Sequence, residues 1–89
     1  MKIEFDPAKD RINWAKHGIS LAPAAEMEFD NAVVIEDRRT DYGETRFIAY
    51  GLIEDRLPVL WFTMRGNVLR AIGLRKANRR ERTQYDRSR

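Results

Sequence analysis

Trp61 to Leu74 reads WFTMRGNVLRAIGL, two apolar runs joined at Arg65-Gly66-Asn67. This pattern predicts a tight β-hairpin, because glycine and asparagine tolerate the positive φ of a short turn. Its strands run from Leu57 to Met64 and from Val68 to Leu74, with Pro58 near a strand start, where a missing N–H costs least. A hairpin by itself is at best marginally stable in water. The rest of the 89 residues must therefore cover it. That length suits one domain, residues 1–89, with a modest core and thin independent stability.

The segments before the hairpin supply the cover. Ile3-Glu4-Phe5 alternates as a short first strand. Asp6-Pro7 opens a helix: the carboxylate accepts from free N–H groups, and proline is tolerated at the first helical position. Ala8, Ile12 and Ala15 form its expected buried stripe, and Gly18 its left-handed stop. Ser20 restarts a second helix, which has Leu21, Ala25 and Phe29 on one face with Ala24 beside them and stops at Asp30-Asn31. Ala32–Ile35 and Thr45–Ile53 are the next strands, separated by a polar loop. Asn78 and Glu81 make a capping box for a last helix from Arg79 to Arg87. Its only apolar contacts are Tyr85 and the methyl of Thr83. The expected order is β-α-α-β-β-β-β-α. That is an α+β fold, an antiparallel β-sheet packed by two N-terminal helices with a short basic C-terminal helix.

The charge is polarised. Met1 to Met64 carries eight Lys and Arg against twelve Asp and Glu, whereas Arg65 to Arg89 carries nine against two. A basic pole beside an acidic body favours an anionic ligand at one end. A solvated tail is the plain alternative. Against it, Arg70 and Arg75 fall on a predicted strand, where solubility does not call for charge. The absence of cysteine excludes disulfides and thiolate zinc sites and suits a reducing cytoplasm. One histidine gives a zinc site little support. No apolar run approaches the roughly 20 residues of a membrane span, and MKIEFDPAK lacks the apolar segment of a secretory signal. The expectation is a cytoplasmic protein with no membrane association and no cofactor.

The spaced pattern FDPAK, KHGIS, YGE with Arg46, FT and RG around Met64, RKA, Glu81 and Tyr85 resembles the BrnT family. The resemblance covers Phe5 to Tyr85. It implies a RelE-like fold and a toxin of a type II toxin–antitoxin pair, a ribonuclease that stops translation by cutting RNA. It also implies a partner, a small ribbon-helix-helix (BrnA-like) antitoxin that inhibits the toxin and binds operator DNA. Operator DNA would then be reached only through the antitoxin. The chain departs from the family pattern at Gly73-Leu74, where Ser-Ala commonly precedes the Arg-Lys pair, and at Leu21, where an aromatic is usual.

Metal-free RNA cleavage needs a base for the 2′-hydroxyl, an acid for the leaving 5′-oxygen and fixed cations at the phosphorane. Metal-dependent cleavage would want convergent carboxylates. The candidate catalytic residues are His17, Arg65, Arg75, Lys76 and Tyr85; the candidate RNA-binding residues are Arg46, Thr63, Arg70, Arg79 and Arg80. Arg75 and Lys76 sit where the last strand meets the last helix, a place that attracts anions; pairing with a carboxylate is the alternative. Thr63 shares a strand side with Arg65, so hydroxyl and guanidinium can hold one phosphate. Simple alternation places Arg70 on one face with Val68, Ile72 and Leu74, and Arg46 with Ile48 and Tyr50. A charge on an apolar face must pair or line a groove. Glu44 is the evident partner for Arg46. His17 has two readings, a proton-transfer group or a basic cap on a helix end. Tyr85 likewise either serves RNA or pins the last helix. Two non-enzymatic readings also stand: a basic module that holds RNA without cutting it, and a tail that only docks an acidic antitoxin.

Overall fold

The computed structural model describes residues 2–88. Five strands, β1 (Lys2–Phe5), β2 (Val33–Asp37), β3 (Arg46–Tyr50), β4 (Pro58–Arg65) and β5 (Val68–Lys76), form one sheet in the order β1-β5-β4-β3-β2. Two α-helices accompany it, α1 (Pro7–His17) and α2 (Arg79–Arg87). The β4–β5 hairpin turns at Gly66, whose φ of 62° fits the predicted turn. Asp6 caps α1 through the Ala8 N–H, and Gly18 ends it at φ 70°. Asn78 and Glu81 complete the capping box of α2.

Two features correct the expected fold class. The sheet is mixed, not fully antiparallel: β1 pairs parallel to β5, with Lys2 opposite Val68 and Phe5 opposite Ala71. Hairpins force antiparallel neighbours, but no hairpin joins the first strand to the last, and the intervening chain acts as a long crossover. Nor do the described residues hold a second N-terminal α-helix. Ala22–Glu26 and Phe29–Asn31 are short 3-10 turns. Leu21, Ala24 and Met27 are the buried residues there. Their three-residue spacing matches the 3.0 residues per turn of a 3-10 coil rather than the four-residue spacing of the expected helix. Ser20 still serves the start of the first turn: its hydroxyl accepts from the Ala22 N–H at 3.1 Å and donates to Asp10 Oδ1 at 2.8 Å.

Cross-strand partners share a face, so the sheet has two distinct sides. The core side carries Leu60, Phe62, Ala49, Leu69, Ala71 and Leu74, which pack with Leu21, Ala24 and Met27. Phe62 stacks on Phe47 at 5.4 Å and meets Phe29 edge-on at 6.1 Å.

The first helix docks differently from expectation. Ala8 and Ala15 are exposed and Ile12 is 54 % exposed, whereas Asn13 is buried. Strand β1 stops opposite Ala71, which leaves the β5 edge beyond it without a neighbouring strand. The Asn13 side chain fills that place. Its amide donates to the Leu74 carbonyl at 2.8 Å and accepts from the Leu74 N–H at 2.9 Å. A further bond to the Ile19 carbonyl at 2.9 Å ties the helix exit to the same point. The edge is thus satisfied by one carboxamide instead of another strand.

Candidate nucleic-acid interface

Strand alternation alone does not produce the second side of the sheet. Along β4, Val59, Trp61, Thr63 and Arg65 share it. On β5 the register slips between Trp61 and Phe62: Trp61 pairs with Gly73, Phe62 pairs with Ala71, and Ile72 is the extra residue. This is a β-bulge, which re-aims every side chain beyond it. Arg70 pairs with Thr63 and Arg75 with Val59, so both arginines stand on one side although five positions separate them. Leu74, expected beside Arg70, lies on the core side opposite Leu60. The bulge thus sends the leucine into the core and the arginine out of it.

Three cross-strand rows make up this side. Glu4, Arg70 and Thr63 lead toward Arg46 and Asp37, which face each other across β2 and β3. Gly73, Trp61, Ile48 and Ile35 form the middle row. Arg75, Val59, Tyr50 and Val33 form the third. Half-buried Trp61 therefore sits between arginines, with the Arg75 guanidinium 5.1 Å from its ring. Nε1 of Trp61 and Nε of Arg46 are buried without a hydrogen-bond partner among the described residues. Both can only donate, so a ligand rich in oxygen complements this side.

Two of the inner arginines are held by carboxylates and the third by a ring. Arg75 makes a bidentate pair with Glu81, 2.8 Å at both contacts, and its Nη1 also donates to the Lys76 carbonyl. That bond holds the Glu81 carboxyl below its ordinary value and raises the Arg75 guanidinium. Glu81 also closes the capping box of α2 by accepting from the Asn78 N–H, so one carboxylate fixes the helix start and aims the arginine. Burial, with the Glu81 charge second, pushes the Tyr50 phenol up. Arg70 lies 3.3 Å from Glu4, and Arg46 4.0 Å from Glu44. The Arg46 guanidinium rests on the Tyr42 ring at 4.0 Å.

The remaining candidates are dispersed. Arg65 is exposed at the hairpin tip on the arginine side. Thr63 is buried, and its hydroxyl donates to the Thr45 carbonyl at 2.6 Å, so it braces β3 against β4. Lys76 is exposed and pairs with Pro58, on the side opposite to Arg75. Arg79 and Arg80 are exposed on the first turn of α2, with no ion-pair partner among the described residues. His17 is exposed in the last turn of α1. Tyr85 is buried, and its hydroxyl donates to the Asn31 carbonyl at 3.2 Å, which pins α2 to the chain leading into β2. Sequence reasoning passed over Asp37, Tyr50 and the role of Trp61. An isolated glycine in a strand, Gly73, was the available signal for the bulge that assembles this side.

No helix among the described residues is long and apolar enough to cross a membrane. No curated protein matches the chain. The family model for the ribonuclease toxin BrnT of type II toxin–antitoxin systems matches residues 5–81, which include α1, the strands β2 to β5 and the start of α2. The chain belongs to the BrnT family of ribonuclease toxins, whose type II systems pair each toxin with an antitoxin.

Proposed function

We propose that this toxin is a metal-independent endoribonuclease that inhibits translation and acts through the arginine side of its sheet. The observation that carries this reading is the bulge at Ile72, which puts Arg70 and Arg75 together on the side of the sheet that also carries Arg46, Arg65 and Trp61. Guanidinium forks match two phosphate oxygens at once, and fixed cations stabilise the extra charge of a phosphorane. Arg75 is the central group, because Glu81 and Trp61 immobilise it before RNA arrives. Arg65, Arg79 and Arg80 are exposed and supply outlying phosphate contacts. Lys76 adds to the field from the other side.

Attack by the 2′-hydroxyl on its own phosphorus needs a proton acceptor, and departure of the 5′-oxygen needs a donor. His17 is assigned to proton transfer as the one exposed imidazole, with the Tyr85 hydroxyl as the second candidate. Metal independence is supported by the donor set: among the described residues no three His, Asp or Glu side chains converge. Thr63 contributes by bracing the strands that carry the arginines. The partner in this reading is a ribbon-helix-helix antitoxin, and the protein acts in the cytoplasm.

The pairing of Arg70 and Arg75 with carboxylates favours a second reading, in which the side holds RNA without cutting it. One assay separates them. Purified protein with a chelator should cut single-stranded RNA to products ending in 2′,3′-cyclic phosphate, and leave a 2′-deoxy analogue intact. Arg75→Ala should slow cleavage by about 100-fold or more, the scale of losing one charge-stabilising donor. Intact RNA at saturating binding would select the second reading.

A further inference from the structure

Asp37 is a buried acidic residue that the cleavage reading leaves unused. It ends β2, is 6 % exposed and stands opposite Arg46 in the strand register. The obvious ion pair between the two does not form. The carboxylate instead accepts from Arg39 Nε at 2.8 Å, Arg39 Nη2 at 2.9 Å, the Arg39 N–H at 3.2 Å and the Tyr42 hydroxyl at 3.2 Å. Its capacity is filled by the loop that joins β2 to β3. Arg39 points largely into water, with 66 % of its side chain exposed. Tyr42 turns back toward β3 and places its ring against the Arg46 guanidinium.

This arrangement spares Arg46. A carboxylate that paired with it directly would neutralise it. The ring holds the guanidinium plane but leaves its edge donors for another acceptor. The nearest carboxylate, Glu44, is 4.0 Å away, and Nε of Arg46 has no hydrogen-bond partner among the described residues. We propose that Asp37 is a positioning residue for RNA binding: through the Tyr42 hydroxyl it fixes the ring on which the Arg46 guanidinium rests. The proposal rests on the reading of the arginine side as the RNA site.

Plain electrostatics predicts the opposite effect of losing Asp37. Removing a negative charge beside bound RNA strengthens binding. Positioning predicts that Asp37→Asn weakens it. The probe is a single-stranded RNA whose 2′-hydroxyls are methylated, so that the full-length protein binds and does not cut it. Arg46→Ala should lower the slope of log K against log[salt] by about 0.7, one phosphate contact on a single strand. Asp37→Asn and Tyr42→Ala should each reproduce much of that loss. The Asp37→Asn, Arg46→Ala double variant should bind no worse than Arg46→Ala alone, because both changes act on one contact. In the RNA-free protein, the Arg46 side-chain N–H resonance should carry a ring-current shift that Asp37→Asn and Tyr42→Phe both reduce.

Additive losses in the double variant, or tighter RNA binding by Asp37→Asn, overturn the proposal. So does an Arg46 resonance unmoved in both variants. Tyr42→Phe removes a single hydroxyl from a half-buried side chain and carries the test if Asp37→Asn fails to fold. Wild-type RNA affinity in Arg46→Ala would instead overturn the reading of the arginine side itself. The resonance, measured without RNA, separates that failure from a failure of the network.

Discussion

On one side of the sheet Leu60, Phe62, Ala71 and Leu74 lie sealed under Leu21, Ala24 and Met27; on the other, Arg46, Arg70 and Arg75 stand around a half-buried Trp61. The same strands supply both. Their difference lies in the kind of constraint each obeys. The core side is held by burial, which has no direction and accepts any residue of suitable volume. The arginine side is held by directed contacts, each cation fixed by its own carboxylate or ring. Ile72 is the hinge between them, because one extra residue decides which of Leu74 and Arg75 goes to which side.

Exchanging Leu74 and Arg75 is the most severe way to break that division. The double variant Leu74→Arg, Arg75→Leu aims a guanidinium into the core opposite Leu60 and leaves the arginine side without its central cation. The expected result is loss of cooperative unfolding in a thermal melt, a cost above about 4 kcal/mol, together with loss of RNA cleavage. A folded, active double variant would show that the register does not set the faces.

Leu60→Ala sharpens the comparison from the core. Leu60 is fully buried and pairs with Leu74, so the variant should lose about 2–5 kcal/mol in urea unfolding. RNA cleavage per folded molecule should stay near wild type. A matching fall in specific activity would mean that the two sides are mechanically one.

Acid should act on the arginine side first. The Arg39 bonds lower Asp37 to about 2, and the Arg75 bonds hold Glu81 below its usual range. Carboxylates depressed in the folded state stabilise it fully above their unfolded values. That contribution is lost as pH falls through the folded ones. Stability should therefore be level, as far as these groups set it, above about pH 5, and should decline toward pH 2. Amide exchange should rise in α2 and in residues 38–45 before it rises in β4. Glu81→Gln should remove part of the decline.

Much of this was legible locally. Asp6-Pro7, Gly18, Gly66-Asn67 and the Asn78/Glu81 box all act where they were expected, because caps and turns are decided by neighbouring residues. What failed was long-range or out of period. The parallel β1–β5 pairing joins opposite ends of the chain and leaves no local mark. The expected second helix was read with a period of four, whereas Leu21, Ala24 and Met27 repeat every three. The buried stripe of α1 was sought among Ala8, Ile12 and Ala15, but the helix docks by Asn13, whose partner is a backbone 61 positions away. At the site, arginine density was visible at once. Their convergence was not, since counting by twos from Arg70 puts Arg75 on the wrong side.

The pairing of the first strand with the last also orders events during synthesis. Lys2 to Phe5 is made long before its partners, Val68 to Ala71. Until those residues exist the strand has nothing to join, and closing so long a loop is slow. Arg70 and Arg75 arrive on that same late strand. A chain interrupted before Val68 holds neither the complete sheet nor these two cations. Translation must pass Lys76 before the protein carries its complete arginine side, so copies cut short of it lack the surface proposed to act on RNA.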